Sequence, residues 1–254
     1  MLHSVVISPE VLSACWAHAL TTETEEIMGL LVGKMNDDVL EISALKVIRR
    51  LTKQKDRVEI DNRDLIAGTE FAESLPGALR VLGWYHSHPH ITVHPSHVDL
   101  ATQASYQTMD ENFVGLIFSV FNYDPNTGVD TKEVVAFQSV LKDNGQNVCK
   151  NIPLSVKSCG DSISRTVIDA LASIPDILME EEVEEFNKVS SETDDIMDKV
   201  HNQACLVTHL AKQNSLVAGP ILDSLRCRAN GLEQRISELE ELKETLSEKL
   251  KELS

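Results

Sequence analysis

The chain has 254 residues, 42% of them hydrophobic, and a formal net charge of −17, which suits one large domain or a domain with an appendage around a sizeable core. Acidity on this scale argues against binding nucleic acid through phosphate contacts, and no run of about eighteen apolar residues is present to cross a membrane. Met1-Leu2-His3-Ser4 lacks the basic-then-apolar layout of a signal peptide, and five scattered cysteines (15, 149, 159, 205 and 227) without a Cys-x-x-Cys pair point to a reducing compartment, not to a disulfide frame or a cysteine-built metal site.

Val5-Val6-Ile7 reads as a short strand, and Ser8-Pro9-Glu10 opens a helix with Ser8 as N-cap and Pro9 at its first position. Val11, Leu12, Cys15, Trp16 and Ala19 share one face of that helix. After the polar turn Thr21 to Glu25, the apolar run from Glu26 to Gly33 predicts a buried strand with Glu26 at its polar entrance. Asn36-Asp37-Asp38 predicts a hairpin turn into a strand from Val39 to Leu51. A basic cluster follows (Lys46, Arg49, Arg50, Lys53, Lys55, Arg57), either a solvated loop or a partner surface, and Val58-Glu59-Ile60 resumes a strand. Asn62 to Leu75 predicts a helix with Leu65, Ile66, Thr69 and Ala72 inward, stopped by Pro76-Gly77.

Leu79 to Tyr85 predicts the strand that delivers His86 and His88. Strand side chains repeat every two residues, so the two imidazoles face the same way. Asp99, eleven residues on at a helix start, can fold back as a third donor. Two histidines and a carboxylate with an open fourth position is the arrangement of a catalytic zinc ion. Each residue also has an ordinary reading: two polar residues at a strand end, a strand-edge acid at Glu26, and a helix capping box at Ser96 and Asp99. His90, His94 and His97 read as solvated loop histidines, and Ile91 and Val93 as exposed apolar contacts for a substrate.

Downstream, a helix to about Met109, strands at Phe113 to Phe121, Glu133 to Val140 and Val148 to Val156, and a turn from Asn122 to Gly128 close a first domain at residue 158. Residues 159–254 read as a helical tail, broken at Ser173-Ile174-Pro175, with an acidic helix starting at Pro175. Leu225, Leu232, Leu239, Leu246 and Leu253 recur every seven residues, and Leu222, Ala229, Ile236, Lys243 and Leu250 fill the second seam position, which predicts a coiled coil over 222–253 that needs a partner helix.

The string His86-Ser87-His88-Pro89, six residues, Ser96, two residues, Asp99, with Glu26-Ile27-Met28-Gly29 upstream, resembles the JAMM (MPN+) metalloproteases. The resemblance implies an α/β (α+β) domain over residues 1–158, with a central, mostly antiparallel sheet flanked by helices. It implies one zinc ion held by His86, His88 and Asp99, with Glu26 as general base and Ser96 as oxyanion donor, and the hydrolysis of isopeptide bonds to ubiquitin. The stretch from Gly83 to Val93, with Lys55-Asp56-Arg57-Val58-Glu59-Ile60, is similar to the branch forming the catalytic subunits of the BRISC and BRCA-A assemblies. That likeness implies lysine-63-linked polyubiquitin as substrate and an Abraxas-type MPN-minus pseudo-enzyme as partner through the tail, in a higher-order heteromer that is cytoplasmic and nuclear. His94 stands where that branch carries Trp, and the segment after Val140 is short. Two alternatives stay open: a non-catalytic scaffold of the same fold, and an isopeptidase for another ubiquitin-like modifier.

Overall fold

A computed structural model describes residues 2–50, 62–125, 127–143, 145–157 and 165–252. Strand β1 (Ser4–Ile7) leads into helix α1 (Pro9–Ala19), whose start is the predicted one: Ser8 Oγ accepts from the Val11 amide at 3.2 Å and Pro9 occupies the first turn. Strands β2 (Met28–Asn36) and β3 (Val39–Val47) form the predicted hairpin, with Asp37 at φ 53° in its turn. β2 starts two residues later than expected and runs three further, and β3 stops at Val47, short of Leu51. Glu26 stays outside the ladder, which ends where Gly29 pairs with Val47. The expected strand at Val58–Ile60 and the cations Lys53, Lys55 and Arg57 lie outside the described residues.

Helix α2 (Asn62–Ser74) buries a face slightly rotated from the predicted one: Gly68 and Ala72 are buried, whereas Ile66 and Thr69 are exposed. A Cβ on Gly68 would sit 2.3 Å from Leu30 Cδ1, so the helix lies against the sheet through its glycine. There follow β4 (Arg80–Pro89), α3 (His97–Met109), β5 (Val114–Asp124), β6 (Val129–Leu141), β7 (Asn147–Ile152) and β8 (Leu154–Val156).

These strands make one mixed sheet in the order β7-β6-β5-β4-β2-β3-β1-β8. β1 runs parallel to both neighbours and β4 runs parallel to β5; the remaining pairs are antiparallel. The single strand expected over Val148 to Val156 is two strands on opposite edges. Ile152 pairs with Ala136 and Leu154 with Val5. Between them Pro153 has no N–H for a ladder, while its carbonyl accepts from the Val5 amide at 2.8 Å. One proline joins the two edges, so the sheet must curl until they meet.

Side chains alternate across β4. Tyr85 joins the core under α1, and Trp84 joins the core under α3. His86 and His88 share the Trp84 parity and therefore the α3 side.

Helix α4 (Arg165–Ser191) continues past Pro175, where a break was predicted. Val167, Ala170, Ile174 and Leu178 form one buried stripe on both sides of the proline and join the core of β1 and α1. Burying each large apolar member of that stripe contributes about 1.5–3 kcal/mol, enough together to exceed the roughly 3 kcal/mol cost of an internal proline. Then come α5 (Ile196–Gln213), a π-helical turn (Asn214–Ala218) and α6 (Gly219–Glu252). On α6 the seam residues Leu222, Leu232, Ile236, Leu239 and Leu246 are exposed. Among the described residues, no helix is long and apolar enough to cross a membrane.

Candidate metal centre and its flanking carboxylate

Three elements meet at the site: the end of β4, the start of α3 and the segment entering β2. β4 brings His86 and His88, both buried, to one face. Their Nε2 atoms stand 3.1 Å apart. Asp99, in the first turn of α3, directs Oδ1 to His86 Nε2 at 3.4 Å and Oδ2 to His88 Nε2 at 3.5 Å. Ligand atoms from these three residues all lie within 4.8 Å of one another, the only such group among the described residues.

The capping box offered as an ordinary explanation for Ser96 and Asp99 is present. Ser96 Oγ accepts from the Asp99 amide at 3.2 Å, and the Ser96 amide donates to Asp99 Oδ2 at 2.6 Å. It does not compete with the ligand role, because the amide bond fixes the carboxylate that faces the histidines. The Ser96 hydroxyl accepts in the box and keeps its own proton to donate.

His88 Nδ1 lies 2.7 Å from the Thr92 carbonyl. A carbonyl only accepts, so Nδ1 carries a proton, and Nε2 is the nitrogen that faces Asp99. The His86 ring stacks on Trp84 with centroids 4.5 Å apart, and its buried Nδ1 has no hydrogen-bond partner. Trp84 is fixed in turn: Nε1 donates to Gln103 Oε1 at 2.8 Å, and Gln103 Nε2 donates to the Phe113 carbonyl at 2.7 Å.

Burial lowers the pKa of His86 more than Asp99 raises it, which favours the neutral imidazole. Burial also opposes charge on His88, but the Asp99 and Thr92 hydrogen bonds, with the negative charges of Glu26 and Asp99, outweigh it and raise the pKa. Burial pushes Asp99 upward, yet the hydrogen bonds of His86, His88 and the Ser96 amide hold it far below the usual carboxylate range. Two imidazole nitrogens and a carboxylate converge here from buried side chains, each able to offer a lone pair to a cation. The donor set therefore fits a divalent metal.

Glu26 is buried, just ahead of β2, and close enough for its charge to act on His88. The segment is pinned on its far side: Ser87 Oγ accepts from the Ile27 amide at 3.0 Å, and the Ser87 amide donates to the Ile27 carbonyl at 3.1 Å. His90, His94 and His97 are exposed and outside the converging group, as read from the sequence. Ile91 is exposed and Val93 partly so.

Residues 1–112 match the family described as JAB1/Mov34/MPN/PAD-1 ubiquitin protease, and residues 167–246 match the BRCC36 C-terminal helical domain. The chain is 39% identical over 259 residues to a Xenopus tropicalis protein named Lys-63-specific deubiquitinase BRCC36, covering 99% of each chain. Proteins of the same name from Rattus norvegicus (37%; 99% of this chain and 97% of the relative) and Camponotus floridanus (39%; 95% and 97%) align nearly as fully. The chain belongs to the BRCC36 family.

In this BRCC36-family chain the helical-domain match begins at Val167, where α4 joins the core of the first domain. Sequence reasoning missed the supports of the site. Thr92 contributes only its carbonyl, which no residue type signals. The Ser87 hydroxyl and the Trp84–Gln103 pair become legible only once β4 is set against β2 and α3. Of the basic cluster, Arg50 is buried and bonds to Glu181 of α4, while Arg49 makes a surface pair with Glu184 on the same helix.

Proposed function

We propose that this chain is a zinc-dependent isopeptidase that hydrolyses lysine-63-linked polyubiquitin, with His86, His88 and Asp99 holding the ion. The observation that carries the reading is the convergence of two imidazole nitrogens and a carboxylate, with the Glu26 carboxylate alongside. A divalent ion held there supplies Lewis acidity and lowers the pKa of a water it ligates to roughly 7.

The protein groups do the rest. Glu26, the general base, takes the proton of the attacking water and returns it to the departing lysine amine. Ser96 donates a hydrogen bond from its hydroxyl to the substrate carbonyl oxygen as that oxygen gains charge; losing one such donor costs about 100- to 1000-fold in rate. The Asp99 amide, by bonding to Ser96 Oγ, holds that hydroxyl at the rim of the site. Ile91 and Val93 flank the site as apolar contacts for the ubiquitin chain. The exposed α6 seam supports pairing of the tail with an Abraxas-type MPN-minus subunit in a cytoplasmic and nuclear heteromer, and the isolated chain turns over weakly.

The test is cleavage of di-ubiquitins of each linkage, and of other ubiquitin-like conjugates, with zinc content measured on the same preparation. We expect lysine-63 linkages to be cut by the wild-type assembly and Glu26→Gln to keep its zinc while losing activity. A wild-type assembly that holds zinc and leaves lysine-63 chains intact would refute the reading.

A further inference from the structure

The residue before Glu26 is held by a buried cation that also holds the tail. The Arg50 side chain, 8% exposed, donates through Nη1 to Glu25 Oε2 at 2.8 Å and through Nη2 to Glu181 Oε2 at 2.5 Å. Its Nε makes a second bond to Glu181 Oε2 at 3.0 Å, and its backbone amide bonds to Glu181 Oε1 at 2.7 Å. Glu181 lies on α4, one turn beyond Leu178 on the buried stripe, and its side chain is 2% exposed. Burial opposes the Arg50 charge, but the bonds to Glu181 and the charges of Glu181, Glu25 and Glu182 outweigh it. Beside it, Arg49 bonds to Glu184 on the same helix at 2.6 Å.

This geometry exceeds what joining a helix to a sheet requires. Apolar residues already seat α4, and a buried ion pair adds little net stability over apolar packing. What the network adds is direction, because a guanidinium fork fixes its partners in one plane. One arm of the fork grips α4 and the other grips Glu25, while Ser87, between the two histidines, grips Ile27. Glu26 is thus suspended between a clamp on the histidine strand and a clamp on the tail.

We propose that Arg50 is a positioning residue, which through Glu25 on one side and Glu181 on the other sets the place of the Glu26 carboxylate and so ties turnover to the seating of α4. The inference rests on the reading of Glu26 as the general base. Arg50 touches neither the ligands nor the substrate, so it governs the chemical step and leaves metal and substrate binding alone.

The test uses the full-length chain, zinc-loaded and assembled with the Abraxas-type partner, in four forms: wild type, Arg50→Gln, Glu25→Gln and Glu26→Gln. Arg50→Gln is expected to lower kcat by about tenfold or more with KM and zinc content within about twofold, since a misplaced base loses rate and not affinity. Glu25→Gln, which leaves the Arg50–Glu181 pair intact, is expected to lower kcat in the same way by a smaller factor. Hydrogen exchange on the full chain should quicken in both variants over residues 20–27 and stay unchanged over β4 and α3. If Glu26→Gln is inactive while both other variants keep kcat within twofold and exchange unchanged, Arg50 does not position the base. If exchange quickens throughout the domain, the role is structural and the proposal is overturned. Retained activity in Glu26→Gln removes the base assignment itself, and the proposal with it.

Discussion

Ile27 and Ser87 exchange two hydrogen bonds, amide to hydroxyl at 3.0 Å and amide to carbonyl at 3.1 Å. The residue after the candidate base is thereby joined to the residue between the two candidate metal ligands. Ser87 is fully buried, so no water can replace its hydroxyl. Ser87→Ala leaves the Ile27 amide unsatisfied, at a cost of about 1–3 kcal/mol in stability. Activity should fall further than this loss explains, because the base and the ligands lose their common reference. Urea denaturation and turnover on one preparation check both effects; an alanine variant of wild-type stability and rate would dismiss the clamp.

Removing the divalent ion should be visible without any substrate. Anything that binds the native state alone stabilises it, by about 2.7 kcal/mol at a hundred times its Kd. Chelator-treated wild-type chain is expected to melt lower and to recover when zinc is returned. In Asp99→Asn the amide oxygen can still accept from the Ser96 amide, so the helix start survives, but the anionic ligand is gone. That variant should show no zinc-dependent rise in Tm and less than one ion per chain by elemental analysis. An unchanged zinc response in Asp99→Asn would remove Asp99 from the ligand set.

The outline of this site was legible in the sequence because a metal site needs particular atoms at particular spacings. His-x-His on a strand and an acid in the first turn of a helix were enough to bring His86, His88 and Asp99 to one point. The hairpin at Asp37 and the Ser8 cap were legible for the same reason, since each is a local rule with a local cause. The failures are where distant packing decided. Pro175 would end a solvated helix, but here four buried residues carry α4 across it. A run of strand-forming residues from Val148 to Val156 gives no hint that its halves sit on opposite edges of the sheet. Arg50 looked like one cation of a surface cluster until Glu181, 131 residues away, came to meet it.

His18 supplies a pH test away from the ligands. It is buried with Nδ1 3.0 Å from the Tyr85 hydroxyl; burial, then the charge of Arg50, push its pKa down to about 3. The other titratable groups there, Tyr85 and Cys15, are pushed up by burial and stay neutral. The native state therefore holds His18 unprotonated, while the unfolded chain protonates it below roughly pH 6.5. Its contribution is complete above that pH and is lost as pH falls toward 3, by up to about 1.4 kcal/mol per unit. Denaturation at about pH 7.5 and about pH 5.5 should show a shallower decline for His18→Gln than for wild type. Equal slopes would show that His18 is protonated in the native state.

The α6 seam makes a last prediction, about which partner it accepts. Leu232, Ile236 and Leu239 are 41%, 55% and 48% exposed, so Glu at Ile236 and Leu239 should change the stability of the single chain by no more than about 0.5 kcal/mol. A coiled coil through the same residues would be lost, because two buried charges would face an apolar seam. Lys243 also occupies a seam position. In a parallel homodimer two Lys243 ammonium groups would meet across the seam, whereas a different chain can place an acid or an open space opposite. The isolated chain is accordingly expected to sediment as a monomer, and Lys243→Leu to shift it toward self-association. A wild-type chain that already dimerises through α6, with the dimer abolished by the Ile236 and Leu239 substitutions, would show that the seam pairs with itself and needs no second kind of subunit.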